Sequence, residues 1–151
     1  MSVVIEGLDG LKASVGQDLG HSGWMLVPQD RIALFANATG DHQWIHVDVD
    51  RAKSGPFGTP IAHGFLTLSL FIPMWSELVE LRGFAVAVNY GLNRVRFPAP
   101  VPSGSKIRLG ATISAVKDLP GGAEAVIDAV IECDQAAKPV CAAQAVHRYF
   151  T

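Results

Sequence analysis

The chain has 151 residues, of which 49% are hydrophobic and 17% are charged, and its formal net charge is -2. This length and composition predict that residues 1–151 form a single domain with a buried core, and they exclude a largely disordered chain. A nucleic-acid-binding role is not expected, because the sequence has no run of basic residues. The N-terminus lacks the basic and apolar segments of an export signal, which favours a cytoplasmic location.

The first forty residues predict two helices with a brief strand between them. A short helix is expected at residues 8–15 and a strand at residues 24–27. Pro28 suits the first turn of a second helix, where its missing N–H costs nothing, and this helix should run to about Ala38. Gly40 then supplies the left-handed backbone conformation with which many helices end.

The middle of the chain predicts two loops followed by a long apolar helix. The segment from Asp41 to His46 is interpreted as a short loop after Gly40, and residues 53–60 are dense in Gly and Pro, as in a loop that covers a site. Residues 61–81 are apolar on almost every side, which predicts a helix enclosed on most of its surface and kinked or divided at Pro73. Because the segment contains Glu77, it is interpreted as a buried helix and not as a membrane span.

The second half of the chain predicts a sheet. Strands are expected at residues 84–90, 94–97, 106–116, 123–134 and 139–150, where apolar and polar residues alternate in places or apolar residues dominate. Gly- and Pro-containing turns between long successive strands favour antiparallel hairpins. The sequence therefore predicts an α+β fold in which a curved antiparallel sheet wraps around the apolar helix.

A carboxylate and an imidazole stand five residues apart at Asp41 and His46. Such a pair can activate a water molecule and deliver a proton, which is the chemistry needed to hydrate a double bond. Spacing alone favours a structural interpretation, in which Asp41 caps a turn and His46 is a hydrogen-bonded buried histidine.

Gly64 lies near the start of the predicted apolar helix. The N–H groups in the first turn of a helix have no partner within the helix, so they can stabilise negative charge on a carbonyl oxygen that comes close. Tight packing of the helix against the sheet would also require glycine, and the sequence does not separate these two explanations.

Three segments together resemble one family. The sequence GDHQWIH at residues 40–46, the sequence AHG at residues 62–64 and the strand-like segment 89–101 are similar to those of MaoC-type (R)-specific enoyl-CoA hydratases. The Gln-Trp pair at residues 43–44 resembles the branch called nodulation-protein-N-like. The similarity covers nearly the whole chain.

The resemblance implies a hot-dog fold, a homodimer and a reaction that adds water to a 2-enoyl-CoA. Asp41 and His46 match the catalytic dyad of the family, and Gly64 matches the residue whose N–H polarises the thioester carbonyl. No cofactor is expected, because this chemistry needs only water, an acid–base pair and an oxyanion site. Some members of the family have a helix hydroxyl that faces the dyad: Thr67 and Ser69 are the candidates for it, whereas Ile72 at that position would mean that it is lost.

Substrate contacts are expected from Gln43, Trp44, His63, Asn89 and Arg94. The commoner family pattern has Asn-Pro where this chain has Gln43 and Trp44. The sequence therefore does not determine the shape of the acyl pocket or the length of the acyl chain that it accepts. The alternative for His63 is a purely structural role. Arg94 could bind CoA phosphates, and its alternative is a place on a solvated face of a strand.

Other functions are weaker interpretations of the same residues. His42 and His46 have the spacing of a zinc motif, but the glutamate that this motif needs is absent. Cys133 and Cys141 are expected to be reduced. The rival functions are an acyl-CoA thioesterase of the same fold and a non-catalytic acyl-CoA-binding or signalling protein, since one fold hosts several functions.

Overall fold

The computed structural model describes the whole chain, Met1 to Thr151, as eight strands and six short helices. The strands are β1 (Val3–Glu6), β2 (Asp18–His21), β3 (Met25–Leu26), β4 (Val79–Arg82), β5 (Val86–Arg96), β6 (Lys106–Leu119), β7 (Gly122–Cys133) and β8 (Cys141–Phe150). The helices are α1 (Gly7–Ala13), α2 (Gln29–Thr39), α3 (Trp44–Val47), α4 (Val49–Lys53), α5 (Gly64–Ser69) and α6 (Phe71–Leu78). The predicted helices near residues 8–15 and 28–38 are confirmed. The loop predicted from Asp41 to His46 extends only to Gln43, because α3 begins at Trp44.

The main sheet has the strand order β2-β6-β7-β8-β5, with β3 also paired to β6, and every pairing in it is antiparallel. This arrangement confirms the hairpins predicted from the second half of the sequence. In β6 the alternate residues Ile107, Leu109, Ala111 and Ile113 are buried, so one face of the sheet covers the core. Strand β5 is an edge strand, since within the chain it pairs with β8 alone.

A second sheet contains only β1 and β4, which pair in parallel from Val3 with Val79 to Glu6 with Arg82. The Arg82 guanidinium binds the carboxylates of Glu6 and Glu80 at 3.2 and 2.7 Å. The sequence analysis did not predict this pair, which joins the first residues of the chain to the segment that follows α6.

The helical segment predicted at residues 61–81 extends only from Gly64 to Leu78, and it is divided into two helices. Helix α5 ends at Ser69, α6 begins at Phe71, and the chain enters strand β4 at Val79. Pro73 has no N–H to donate to the carbonyl of Ser69, so the helical hydrogen-bond ladder is interrupted at the point where the two helices separate. Pro73 therefore accounts for the division of the helix, as predicted, although the break lies about one turn before the proline.

The apolar helices are enclosed on one side only. Leu66, Met74 and Leu78 belong to a core cluster of 28 buried residues that also contains the inward-facing residues of the sheet. On the opposite side Phe65 is 69% exposed and Ile72 is also exposed, which corrects the prediction of a helix enclosed on most of its surface. No helix in the structure combines the length and the hydropathy needed to cross a membrane.

Candidate active site

The end of α2 fixes where Asp41 leaves the helix. Gly40 has φ of 81°, in the left-handed region, and its N–H donates to the carbonyl of Ala36 at 2.8 Å. The Asp41 N–H then approaches the Thr39 hydroxyl at 3.4 Å, and Asp41 Oδ1 accepts from the Gln43 N–H at 3.4 Å. Asp41 is exposed, so the turn-capping contact expected under the structural interpretation leaves its carboxylate able to meet a ligand.

His46 lies on the one-turn helix α3 and is only 6% exposed. Its Nδ1 is 2.7 Å from the carbonyl oxygen of Ile61. Because a carbonyl can only accept, Nδ1 carries the proton, and in the neutral ring Nε2 is an unprotonated base. Burial lowers the pKa of His46 below its ordinary value of 6.5, although the hydrogen bond to Ile61 opposes this change. Burial therefore favours the neutral form of the His46 imidazole.

Gln29 and His63 hold this region from two further directions. Gln29 Nε2 donates to the backbone carbonyl of His46 at 2.7 Å. The His63 imidazole stacks on that of His46 with ring centroids 3.9 Å apart. No pattern in the sequence singled out Gln29, because its only signal is its place after Pro28.

Asp41, His46 and His63 bring one polar side-chain atom each to within 4.8 Å of one another. A metal ion binds in the plane of each imidazole that ligates it, yet the planes of the two stacked rings differ by only 23°. Their lone pairs therefore cannot converge on one ion without rotation of a ring. The arrangement favours acid–base chemistry over a metal centre.

A cavity of about 320 Å³ opens beside His46, and Asp41 is not among the residues that line it. His46, Gly64 and Thr67 line this dyad cavity together with residues 97–101 and Val140. Thr67 is the helix hydroxyl that shares this cavity, whereas the other candidate, Ser69, lines a different one.

Gly64 is the first residue of α5 and lies against the ring of Phe97. A Cβ atom at Gly64 would come within 3.0 Å of this ring. Close packing therefore accounts for glycine at this position, and the same packing leaves the first turn of the helix open to the cavity.

The remaining predicted contacts are dispersed. Gln43 is exposed at the start of α3, and Trp44 packs against Gly55 and lies under the guanidinium of Arg51 at 4.2 Å. His63 is buried and does not line the cavity beside the dyad.

Asn89 and Arg94 both lie on β5, away from the dyad. Asn89 lines an apolar cavity of about 290 Å³ that also contains His147. Arg94 lines a surface depression that shares Pro98 with the dyad cavity. Within one chain Asn89 therefore lies in a different cavity from the one that His46 lines. Arg94 lies on the surface beside the dyad cavity and not inside it.

Comparison with known proteins shows to which family this arrangement belongs. The family model described as the MaoC like domain matches residues 11–132. The chain is 47% identical over 145 residues to 3-hydroxyacyl-thioester dehydratase Z of Mycobacterium tuberculosis, which covers 95% of this chain and 96% of that protein. It is 50% identical over 103 residues to nodulation protein N of Rhizobium leguminosarum, which covers 67% of this chain and 64% of that protein.

A solved structure gives the same result for the fold. The unliganded R-hydratase PhaJ1 of Pseudomonas aeruginosa aligns with a TM-score of 0.70 and 24% identity, over 88% of this chain and 79% of that chain. The α+β hot-dog fold predicted from the sequence is confirmed, with the central helix divided in two. The match to the family model and the identity along almost the whole length lead to one conclusion: the chain belongs to the MaoC-like domain family.

Proposed function

We propose that the protein is an (R)-specific enoyl-CoA hydratase, which adds water to a trans-2-enoyl-CoA to give the (R)-3-hydroxyacyl-CoA and catalyses the reverse dehydration. The observation that carries this proposal is the pairing of an exposed carboxylate, Asp41, with a neutral imidazole, His46, whose Nδ1 proton is held by Ile61. A relative that is 47% identical is named a 3-hydroxyacyl-thioester dehydratase, which supports the same reaction.

The chemistry follows from the two hydrogen-bond acceptors of the dyad. The Asp41 carboxylate and His46 Nε2 can accept from the two O–H groups of one water molecule. As the water oxygen bonds to C3 of the enoyl group, its proton passes to the dyad and then to C2. Both new bonds form on the face of the substrate that meets the dyad, so the addition is syn. The two groups titrate as a coupled pair, and the proton belongs to the pair.

The thioester oxygen becomes negative while the new C–O bond forms. In this proposal the Gly64 N–H, in the first turn of α5, donates to this oxygen and stabilises the charge. Thr67 lines the same cavity.

Arg94 and Arg96 are proposed to meet the phosphates of CoA. They line the depression that adjoins the dyad cavity at Pro98, and neither forms an ion pair with a carboxylate. Arg108, by contrast, binds Glu132 at 2.9 Å and is not available for this purpose.

The test of the proposed function is a spectroscopic assay. Purified protein is mixed with short- and medium-chain 2-enoyl-CoA esters, and the loss of the conjugated enoyl absorbance is followed beside a thiol reagent. The proposal expects absorbance to fall without release of free CoA, and chiral analysis to give the (R)-alcohol. Release of thiol would identify a thioesterase instead, and binding without reaction at every chain length would identify an acyl-CoA-binding protein.

Replacement of Gly64 by alanine should lower kcat/KM for hydration at least about 10-fold. Complete loss of an oxyanion donor typically lowers the rate by about 10²–10³-fold, which is the upper limit of the expected effect. The new Cβ would lie within 3.0 Å of the Phe97 ring, so either the ring or the first turn of α5 must move. Gly10→Ala is the matched control, because a Cβ at Gly10 meets its neighbours at an ordinary 3.6 Å. Equal rates for both variants and the wild type would remove Gly64 from the site.

A homodimer and a cytoplasmic location are further parts of the proposal. Strand β5 exposes its free edge, and its apolar side chains are exposed as well: Val86, Val88, Tyr90 and Leu92. An unpaired, apolar edge strand of 11 residues favours pairing with a second copy about a two-fold axis. The two buried cysteines are not joined, which is compatible with a reducing compartment.

Replacement of Val88 by lysine should weaken this dimer. The substitution places one positive charge from each subunit on the apolar face proposed to form the interface. The dissociation constant should therefore rise about 10-fold or more, which corresponds to about 1.4 kcal/mol. Val130→Lys on β7 is the control, because Val130 has the same 41% exposure as Val88 but lies inside the sheet. Light scattering over a dilution series measures the change. A monomeric wild type, or an equal effect of Val130→Lys, would contradict the dimer.

A further inference from the structure

His63 contacts both members of the dyad at once. Its Nε2 lies 3.0 Å from the backbone carbonyl oxygen of Asp41, and its ring stacks on His46 with centroids 3.9 Å apart. On another side the ring of Phe35, from α2, lies 4.8 Å away at an angle of 53°. The imidazole is only 2% exposed, so it is held among α2, α3 and the start of α5.

The protonation of His63 follows from the same contacts. A carbonyl only accepts, so Nε2 carries the proton and donates to Asp41, and Nδ1 of the neutral ring is an acceptor. This Nδ1 is fully buried and finds no partner among the protein groups. A buried acceptor without a partner is a cost to stability, and phenylalanine would fill the same space without it. Packing alone therefore does not account for an imidazole at this position, whereas the hydrogen bond to Asp41 does.

The hydrogen bond from His63 is also the firmest contact to the main chain of Asp41. The Asp41 N–H reaches the Thr39 hydroxyl only at 3.4 Å, against 3.0 Å for the bond between its carbonyl and His63. Asp41 follows the left-handed Gly40 and lies outside any helix, so few other contacts fix its direction.

We propose that His63 is a positioning residue. The Nε2–H of His63 fixes the peptide group of Asp41 by a hydrogen bond, and the face of the His63 ring fixes the imidazole of His46 by stacking. The carboxylate and Nε2 of His46 thereby keep the separation at which they share one water molecule. This role replaces the substrate contact predicted for His63 from the sequence, and it rests on the proposed hydratase function.

Two substitutions separate the donor from the ring. His63→Gln keeps an N–H donor with similar reach but loses the aromatic face, whereas His63→Phe keeps a ring and loses the donor. We expect His63→Phe to lower kcat by about 10–100-fold with KM changed less than about two-fold, because a small displacement of a reacting group lowers the rate without weakening binding. His63→Gln should recover part of this lost kcat through the retained donor, and the deficit that remains measures the contribution of the ring face to His46. His42→Phe, at an exposed neighbouring histidine, is the control and should retain the wild-type rate.

Three outcomes of this experiment would overturn the proposal. If both His63 variants are folded by circular dichroism and keep the wild-type kcat, His63 does not position the dyad. If KM rises while kcat is unchanged, His63 contacts the substrate. If His63→Gln loses as much activity as His63→Phe, the donor to Asp41 has no role.

A second measurement does not need turnover. Long-range ¹H–¹⁵N correlation spectra of the histidine rings should show His46 protonated on Nδ1 and His63 protonated on Nε2, the two tautomers that the bonds to Ile61 and Asp41 require. The opposite tautomer of His63 would overturn the proposal, because its bond to Asp41 could not exist. A wild-type protein that shows the expected tautomers but hydrates no enoyl-CoA would instead contradict the proposed function.

Discussion

Asp41→Asn should lower kcat for enoyl-CoA hydration by about 10²–10⁴-fold, the usual contribution of a positioned general acid–base group. The amide cannot accept a proton from water at neutral pH, whereas the carboxylate can. The fold should be unaffected, because the side chain is exposed and the amide oxygen can still accept from the N–H of Gln43. Initial rates from the enoyl absorbance, with melting curves beside them, measure both effects.

The control for Asp41→Asn is Asp50→Asn. Asp50 is another exposed carboxylate, on the short helix α4, and its only ion pair is with Lys53 at 3.7 Å on the surface. This control should retain the rate of the wild type. Retention of kcat in Asp41→Asn would show that Asp41 has only its turn-capping role, and His46 would then have to act alone.

His46→Asn should also lower kcat by about 10²–10⁴-fold, since the variant removes Nε2 and with it the second acceptor for the water. The asparagine amide N–H stands close to where Nδ1 was, so it can still donate to the carbonyl of Ile61. His46→Ala should lose the same activity and in addition about 1–3 kcal/mol of unfolding free energy, because it leaves that buried carbonyl without its donor. Denaturant titration of the two variants separates the catalytic effect from the structural one.

The exposed His42 supplies the matched control for this pair of variants. His42→Asn should match the wild type in both rate and stability, because its side chain takes no part in the dyad cavity. If His46→Asn retains its activity, Nε2 is not a base in the reaction, and the dyad interpretation is wrong even if the protein is a hydratase.

The parts of the fold that follow from local pattern were predictable. Alternating burial in β6, the Gly-containing turn before β7 and the left-handed Gly40 each depend on a few neighbouring residues. The parallel pairing of β1 with β4 was not predictable, because it joins residues 3–6 to residues 79–82 and is decided by tertiary packing. The position of the break between α5 and α6 was not predicted either. Pro73 cannot donate to the carbonyl four residues before it, so the break lies before the proline and not at it.

The sequence indicates which side chains form the candidate site, but not how the structure holds them. The motif indicated Asp41 and His46, but not the helix α3 nor the bond to Ile61 that fixes the tautomer. Strand β5 shifts its register against β8 after Asn89 and again before Arg94. The simple alternation of side chains along a strand does not hold there, so the positions of Asn89 and Arg94 could not be predicted from it.

The two walls of the dyad cavity come from distant parts of the chain. His46 and Gly64 come from residues 46–64, whereas residues 97–101 and Val140 come from the connection after β5 and the residue just before β8. Under the proposed function, substitutions at residues 97–101 would change the shape of the space for the acyl group without altering Asp41 or His46. The two properties of the site, reaction and fit, are thus encoded in separate segments of the chain.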